Sequence, residues 1–211
     1  MSEAAPSPGA REGIPFVVSG PSGTGKTSIL RRVVERDPRV SFSVSHTTRP
    51  PRPGERDRND YCFVSKGEFR ELIEKQHFLE WAEYQGNLYG TSRDAVAEPV
   101  RSGIDVLLEV EVQGARQLRD QLSEGVFVFV LPPSMEVLER RLRGRGSDED
   151  LAIRSRLSQA HGELREVHIY DYVLINDELE RTVVLLEHII SACRCNRDRV
   201  LPLCRDRFDF G

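Results

Sequence analysis

The segment GPSGTGKT, residues 20–27, constrains the fold of this chain more than any other part of the sequence. It fits the pattern G-x-x-x-x-G-K-[ST] and follows IPFVVS at 14–19, a short apolar run that predicts a buried strand. The next residues, TSILRRVVER, have the apolar spacing of a helix that should end near Asp37-Pro38. A strand, a glycine-rich turn and a helix in this order predict a loop whose backbone N–H groups surround phosphate oxygens.

Each part of this loop has a predicted task in binding a nucleoside triphosphate. The residues expected to wrap around the phosphates are Gly20, Pro21, Ser22, Gly23, Thr24 and Gly25. Lys26 would neutralise the β and γ phosphates, and the Thr27 hydroxyl would complete the coordination of Mg²⁺. A chance glycine turn is the alternative, and the strand and helix on either side argue against it. The loop alone does not distinguish a GTPase, an ATPase motor and a small-molecule kinase.

Strand and helix patterns alternate along the chain, and this predicts an α/β fold. The runs VLLEV, VFVFVL and YVLI are apolar on both faces, which favours a parallel sheet covered by helices. Between about 41 and 91 the predicted strands are closer together and more polar, which indicates a small strand-rich insertion. The predicted strands are 14–19, 41–47, 61–65, 78–84, 105–112, 126–131 and 171–176, and the predicted helices are 66–76, 92–102, 113–122, 134–143, 148–168 and 178–197.

Two acids follow an apolar strand in DVLLEVEVQG, residues 105–114. The twofold period of a strand places Glu109 and Glu111 on one face, at the end of the sheet where α/β proteins bind ligands. One acid could face Mg²⁺ and the other a substrate, whereas a strand emerging into solvent would explain one acid more easily than two. The sequence shows no N-K-x-D guanine-reading motif, and this weakens the GTPase interpretation.

Charge and composition bear on partners and compartment. The net charge is −4 and the pI is about 5.8, which argues against nonspecific binding to nucleic acid or to an anionic membrane. No stretch reaches the roughly 18 apolar residues of a membrane span, and the N-terminus lacks the apolar segment of a signal peptide. The four cysteines fit a reducing compartment as free thiols. We therefore expect a cytoplasmic protein.

The chain resembles guanylate kinase, the enzyme that phosphorylates GMP with ATP, through a series of segments in the same order. Besides the loop, these are SVSHTTRPPRPGE, DYCFVS, FLEWAEYQGNLYGTS, LLEVEVQGA, LPPS, RRLRGRG and IND. The resemblance implies a P-loop core (14–42, 94–136 and 169–190), a small GMP-binding part (43–93) and a helical lid that closes over ATP (137–168). A flexible N-terminal tail (1–13) and a C-terminal extension (191–211) would flank this 14–190 unit.

The same resemblance assigns the acceptor site. It places Arg49, Arg52, Tyr61 and Tyr89 around the GMP phosphate, with Glu55 orienting an arginine, and it places Ser45, Glu80, Thr91 and Glu111 around the guanine base. A phosphomonoester carries nearly two negative charges, and the planar fork of arginine suits it. Guanine offers an N1–H and an amine side by side, so one carboxylate such as Glu80 can accept both.

On the donor side, the resemblance implies that Arg141, Arg145 and Arg156 reach the ATP phosphates from the lid and that Asn176 contacts adenine. Lys26, Arg49, Arg145 and Arg156 form the expected catalytic set, and Thr27 and Glu109 are the expected ligands of Mg²⁺. The family commonly has Asp-x-Asp where this chain has Glu109-Val110-Glu111, so each acid is one methylene longer. The implied reaction is ATP + GMP = ADP + GDP, with dGMP as a further acceptor, by a monomer or small homo-oligomer.

Three other functions can be weighed against this one. A related P-loop kinase could act on another acceptor, although Ser45, Glu80 and Thr91 favour guanine. A guanylate-kinase-like interaction module could have lost catalysis, although Lys26 and Thr27 are intact. Nucleic-acid binding is disfavoured, because the arginine-rich stretch SHTTRPPRPGERDRNDY, residues 45–61, has a net charge of only +1 and little aromatic interleaving.

Overall fold

A computed structural model describes residues 11–84, 86–144, 150–205 and 207–208. Its strands are β1 (Pro15–Ser19), β2 (Val40–Phe42), β3 (His46–Thr47), β4 (Cys62–Phe63), β5 (Phe78–Tyr84), β6 (Asn87–Ser92), β7 (Asp105–Glu109), β8 (Val126–Leu131) and β9 (Tyr172–Ile175). Its helices are α1 (Lys26–Arg36), α2 (Lys66–Glu74), α3 (Arg93–Arg101), α4 (Val112–Gln121), α5 (Met135–Arg143), α6 (Asp150–Leu164), α7 (Leu179–Arg194) and α8 (Arg197–Cys204), with a 3-10 turn at Val167–Ile169.

Five strands form a parallel core sheet in the order β2-β7-β1-β8-β9, so the predicted parallel α/β core is confirmed. β1 lies in the middle, with β7 and β8 on its two sides. Val18 of β1 is in register with Glu109, the last residue of β7. The loop that leaves β1 therefore starts beside the acid that ends β7, at the edge where ligands bind in open parallel sheets.

Helices cover both faces of this sheet because its strands are apolar on both faces. Phe16 and Val18 pack with Leu30 of α1 and Leu186 of α7 in one buried cluster. Val17, which points the other way, packs with residues of α3 and α4 in a second cluster. The core sheet is thus an inner layer between two helical layers. None of the helices within the described ranges is long and apolar enough to span a membrane.

A second sheet contains the strands of the predicted insertion, in the order β4-β3-β6-β5. β5 and β6 form an antiparallel hairpin, β6 also pairs antiparallel with β3, and β3 pairs parallel with β4. Helix α2 begins at a capping box in which Ser65 and Glu68 exchange hydrogen bonds. Phe69 of α2 stacks on Phe78 of β5 with ring centroids 4.6 Å apart, so helix and hairpin pack together.

Two predicted elements are wrong because periodicity does not reveal which partner a segment pairs with. The predicted strand 41–47 is divided: β2 joins the core sheet, whereas β3 joins the second sheet. The predicted strand 105–112 ends at Glu109, and Glu111 is the residue immediately before α4 rather than a strand residue. The two acids therefore do not lie on one face of a strand.

The ends of two predicted helices, one further helix and the predicted N-terminal tail also differ from expectation. The predicted helix 148–168 is described as α6 followed by the 3-10 turn, and the predicted helix 178–197 ends at Arg194. Helix α8 was not predicted; it begins after Asn196, whose side chain accepts a hydrogen bond from the backbone N–H of Asp198 (2.8 Å). Within the predicted N-terminal tail, Arg11 forms an ion pair with the fully buried Asp105 (2.7 Å).

Candidate active site

The phosphate-loop segment connects β1 to α1 and has a backbone that requires glycine. Gly20 and Gly25 have φ values of 137° and 92°. A Cβ atom on Gly20 would lie 2.2 Å from the carbonyl oxygen of Val130, and one on Gly25 would lie 2.5 Å from Nδ2 of Asn176. The loop is thus pressed against β8 and against the segment after β9, and neither position can accept a side chain.

Lys26 and Thr27 open α1 at the edge of the core sheet. Lys26 is 7% exposed, and its Nζ donates hydrogen bonds to the carbonyl oxygens of Gly20 (2.6 Å) and Pro21 (3.3 Å). The Thr27 hydroxyl donates to Oε1 of Glu109 at 2.9 Å. Burial raises the pKa of Glu109, and the charge of Lys26 and the Thr27 hydrogen bond oppose that rise. A hydroxyl and a carboxylate thus meet beside the loop, and both are oxygen ligands of the kind that Mg²⁺ prefers.

Asn176 fastens the loop to the end of β9. Its side chain is buried, and Nδ2 donates to the carbonyl oxygen of Thr24 (2.6 Å) while Oδ1 accepts from the hydroxyl of Thr182 (3.1 Å). Arg141 of α5 donates to the backbone oxygen of Asn176 (2.9 Å). The structure therefore gives Asn176 a part in shaping the loop, which the sequence did not indicate.

The described residues include two of the three predicted lid arginines, Arg141 and Arg156. Arg141 is held near the loop through Asn176, and Arg145 lies outside the described residues. Arg156 is half-buried on α6. Burial, with the charge of Glu111, raises the pKa of Tyr84 at the end of β5, and the charge of Arg156 opposes that rise. Helix α6 therefore extends from the core toward the β5–β6 hairpin.

Three of the four predicted phosphate-binding residues of the acceptor site lie together where the β3–β4 loop meets β6: Arg49, Tyr61 and Tyr89. Arg49 donates to Oε1 of Glu55 (2.8 Å), and its guanidinium carbon lies 5.4 Å from the ring centroid of Tyr61. Tyr61 and Tyr89 meet edge to face with centroids 6.1 Å apart. Burial raises the pKa of Tyr61 to about 12, so its hydroxyl keeps its proton and can donate. The side chain of Arg52 is exposed at the rim.

Glu55 forms an ion pair with Arg49. One oxygen of its carboxylate accepts from Arg49, and Oε2 accepts from the backbone N–H of Arg52 (2.7 Å). Although burial acts to raise it, these hydrogen bonds hold the pKa of Glu55 below its ordinary value. The hydrogen bond to Glu55 is also the main cause that raises the pKa of Arg49. The ion pair fixes the Arg49 side chain beside the ring of Tyr61.

Glu80 and Thr91 form a buried pair across the hairpin. They face each other in the β5–β6 register, and the Thr91 hydroxyl donates to Oε1 of Glu80 at 2.7 Å. Glu80 is 6% exposed and Thr91 is fully buried. Burial raises the pKa of Glu80 to about 7, the Thr91 hydrogen bonds lower it, and the charge of Glu111 adds to the rise. Ser45 is half-buried in the neighbouring segment, where its carbonyl accepts from the N–H of Cys62.

Helix α4 closes the other side of the Glu80 carboxylate through residues that the sequence did not indicate. A Cβ atom on Gly114 would lie only 2.4 Å from Oε2 of Glu80, so the absence of a side chain there leaves room for the carboxylate. Gln117 exchanges hydrogen bonds with the backbone of Trp81, and Gln121 donates to the carbonyl oxygen of Leu79 (2.6 Å). The spacing of four between these glutamines is the signal that could have identified this helix face.

Comparisons with known proteins agree over nearly the full length of the chain. The sequence model of the guanylate kinase family matches residues 12–193. The guanylate kinase of Geobacter metallireducens is 46% identical over 201 residues, which cover 95% of this chain and 99% of the relative. The guanylate kinase of Neisseria meningitidis serogroup A is 47% identical over 196 residues, covering 93% and 96%. The crystal structure of guanylate kinase from Anaplasma phagocytophilum is similar with a TM-score of 0.79 at 30% identity, covering 96% and 98% of the two chains.

Proposed function

The chain belongs to the guanylate kinase family, and from that membership we propose how its own residues transfer a phosphoryl group from ATP to GMP. The enzyme is a nucleoside monophosphate kinase that phosphorylates GMP to GDP. The observation that carries the residue assignment is the buried Glu80–Thr91 pair, which lies in a separate sheet from the phosphate loop. An enzyme of this class needs two separate nucleotide sites, one for the phosphoryl donor ATP and one for the acceptor GMP.

On the donor side, the loop residues 20–25 would hold the ATP phosphates, with Lys26 as the buried cation. Thr27 and Glu109 fit Mg²⁺ by the chemistry of their oxygens, and we propose them as its ligands. The ion would neutralise charge on the phosphate oxygens. Arg141, Arg145 and Arg156 would approach the same phosphates from the lid, and Asn176 would contact adenine while it holds the loop.

On the acceptor side, Arg49 and Arg52 would bind the GMP phosphate, and the hydroxyls of Tyr61 and Tyr89 would donate hydrogen bonds without adding charge. The ionised Glu80 carboxylate would accept the N1–H and the amine of guanine, with Ser45, Thr91 and Glu111 beside the base. Adenine has an acceptor at N1 and would leave that carboxylate unpaired. A site that depends on such polar pairing can reject the wrong base by about 10⁴-fold or more.

The chemistry requires little covalent participation by the protein. Phosphoryl transfer depends on in-line positioning and on neutralisation of charge on the moving group. Lys26 and the lid arginines would stabilise that charge, and Arg49 would align the acceptor phosphate. The phosphate oxygen of GMP is already anionic near pH 7, so no general base is needed. Closure of the lid would keep water from the γ-phosphoryl group.

An acceptor panel tests the function directly. ADP release from MgATP would be measured with GMP, dGMP, AMP, CMP and UMP under the same conditions. We expect GMP to exceed AMP, CMP and UMP by several orders of magnitude in kcat/KM, and we expect dGMP to be phosphorylated as well. Equal rates with GMP and AMP would show that Glu80 and Thr91 do not read guanine.

Replacing Gly114 should weaken GMP binding, because the Gly114→Ala methyl group would occupy the space of the Glu80 carboxylate. Overpacking of this kind costs about 1–3 kcal/mol, so the KM for GMP should rise about 5- to 150-fold while the KM for ATP changes little. Gly67→Ala is the matched control, since the nearest atom to its Cβ is 3.8 Å away. Steady-state kinetics with each substrate varied in turn would reveal the effect, and an unchanged KM for GMP would contradict it.

The affinity for GMP should fall as the pH falls through 7, because the Glu80 carboxylate can accept both hydrogen bonds of guanine only when it is ionised. With a pKa of about 7, its ionised fraction declines from about nine tenths at pH 8 to about one tenth at pH 6. The KM for GMP should therefore rise about tenfold over this range. Thr91→Val removes a hydrogen bond that lowers this pKa, so it should move the midpoint to higher pH. A midpoint that stays in place in this variant would rule out Glu80 as the titrating group.

The raised pKa of Glu80 also affects stability. Between pH 4.5 and 7 the unfolded chain loses this proton while the native protein keeps it, so the free energy of unfolding contributed by Glu80 decreases as the pH rises through that window.

Because both substrates are nucleotides of the cell interior, we propose a cytoplasmic enzyme. A monomer or small homo-oligomer remains the expected state.

A further inference from the structure

Glu163 is a buried carboxylate on α6 that has no part in the reaction as described. It is 9% exposed. Its Oε1 accepts a hydrogen bond from Nε2 of Gln159 at 3.0 Å, whereas Oε2 is buried without a hydrogen-bond partner among the described residues. Burying an ionised oxygen in this way opposes folding. A carboxylate at this position is therefore poorly explained by stability alone.

Glu163 shares the inner face of α6 with Arg156, the lid arginine expected at the donor phosphates. Seven residues separate the two, which is about two helical turns or about 10 Å along the axis. Ile153 and Ala160 on this face pack against α5 in a buried cluster. Because both residues lie on one helix, a movement of α6 that brings Arg156 toward the phosphates also moves Glu163.

The end of α6 lies against the start of α4, where the acceptor-site acid Glu111 is located. Nε of Arg116 on α4 donates to Oε2 of Glu166 at 2.8 Å. Leu164 packs against the buried cluster that contains Val110 and Val112, the two neighbours of Glu111. The Oε2 atom of Glu111 is buried and, like that of Glu163, has no partner among the described residues.

The electrostatics agree with this placement. Burial raises the pKa of Glu163 to about 7, the charge of Glu111 raises it further, and the charge of Lys26 opposes the rise. Burial also raises the pKa of Tyr170, a hydrogen bond with Ser19 opposes that rise, and the charges of Glu163, Glu166 and Glu111 add to it. The charge of Glu111 in the proposed acceptor site therefore repels an ionised Glu163, and the charge of Lys26 in the phosphate loop attracts it.

We propose that Glu163 is a positioning residue that makes closure of α6 depend on an occupied acceptor site, and this rests on the proposed function. Without GMP, the carboxylates of Glu163 and Glu111 repel each other and disfavour the closed position of α6. When guanine donates hydrogen bonds to Glu80 and Glu111, their negative charge is offset and the helix can close. Arg156 then reaches the ATP phosphates mainly when an acceptor is present, which limits transfer of the phosphoryl group to water.

The test is ADP release from MgATP without GMP, at pH 8 where Glu163 is ionised. Glu163→Gln keeps the size of the side chain and removes its charge, so the GMP-free rate should rise about three- to tenfold. A non-hydrolysable ATP analogue should also bind more tightly without GMP, and GMP should strengthen its binding less than in the wild type. Turnover with saturating GMP should stay within about threefold. Glu166→Gln removes the ion pair with Arg116 but keeps the buried carboxylate of Glu163, so it should leave the GMP-free rate unchanged.

Two further variants separate charge from structure. Glu163→Asp keeps the charge and should keep the low GMP-free rate. Glu111→Gln should raise the GMP-free rate as Glu163→Gln does, and the double variant should exceed neither single one, because both remove the same repulsion. The inference would be overturned by an unchanged GMP-free rate in Glu163→Gln or by a rise in Glu163→Asp or Glu166→Gln. Additive effects in the double variant would also overturn it. Failure of the wild type to phosphorylate GMP would instead overturn the function itself.

Discussion

Lys26→Ala should reduce kcat for GMP phosphorylation by about 10²–10³-fold and leave the affinity for GMP within about twofold. The Lys26 side chain is 7% exposed and its Nζ lies within the phosphate loop, 2.6 Å from the carbonyl oxygen of Gly20. Removing one preorganised cation from a water-poor site loses stabilisation that is largest in the transition state. The proposed GMP-binding residues Glu80 and Thr91 lie in the other sheet, so GMP binding should be undisturbed. Coupled ADP-release kinetics and calorimetric titration with GMP would measure the two effects.

Lys75→Ala provides the matched control for this prediction. The chain has only 3 lysines, and Lys75 is exposed at the end of α2, where it pairs with Glu71. This variant should retain wild-type kinetics. If Lys26→Ala lost GMP binding together with activity, the separation of the two sites would be wrong. If it retained full activity, the chain would not use its phosphate loop for catalysis.

Arg49→Ala should raise the KM for GMP about 10- to 100-fold. The Arg49 guanidinium is fixed by Glu55 and by the neighbouring ring of Tyr61, so little side-chain entropy remains to be lost when it binds phosphate. A hydrogen bond to a charged group contributes about 1.5–3 kcal/mol, which corresponds to that change in KM. Arg49→Lys keeps the charge without the planar fork and should recover only part of the loss.

Arg56→Ala tests whether position or charge alone is responsible. Arg56 lies in the same arginine-rich stretch but is exposed, and only its backbone N–H forms the hydrogen bond to Asp60 (2.9 Å), which alanine keeps. The KM for GMP should change less than twofold. Equal effects from Arg49→Ala and Arg56→Ala would mean that the stretch acts by general charge rather than by defined contacts. Thermal unfolding of both variants would exclude a loss of folded protein.

The core sheet and the phosphate loop could be predicted because their signals are local. Strands β1, β7 and β8 are continuous apolar runs, and the loop pattern fits between one of them and a helix. The strand 41–47 could not be predicted correctly, since its apolar character continues across the point where the chain passes from one sheet to the other. The same limit applies to Glu111, which was expected on a strand and lies just before a helix.

Other parts of the site depend on contacts between distant segments. Gly114 leaves space for Glu80, which is 34 positions earlier in the chain, and Asn176 bonds to a loop residue 152 positions away. Glu163 showed no motif at all, because a single acid on a helix is ordinary until its burial is known. Each of these residues acquires its importance from what it contacts.

The sequence by itself determined the family and the parallel α/β core, because these follow from motifs and from the periodicity of apolar residues. The residues assigned to the two nucleotide sites stay predictions. Only the tertiary structure decided how the buried acids are placed: Thr91 and Gly114 flank Glu80, and α6 brings Glu163 near the buried cluster that contains the neighbours of Glu111. The physical reason is that burial and the proximity of charges depend on how distant segments pack together. Local patterns along the chain do not contain that information.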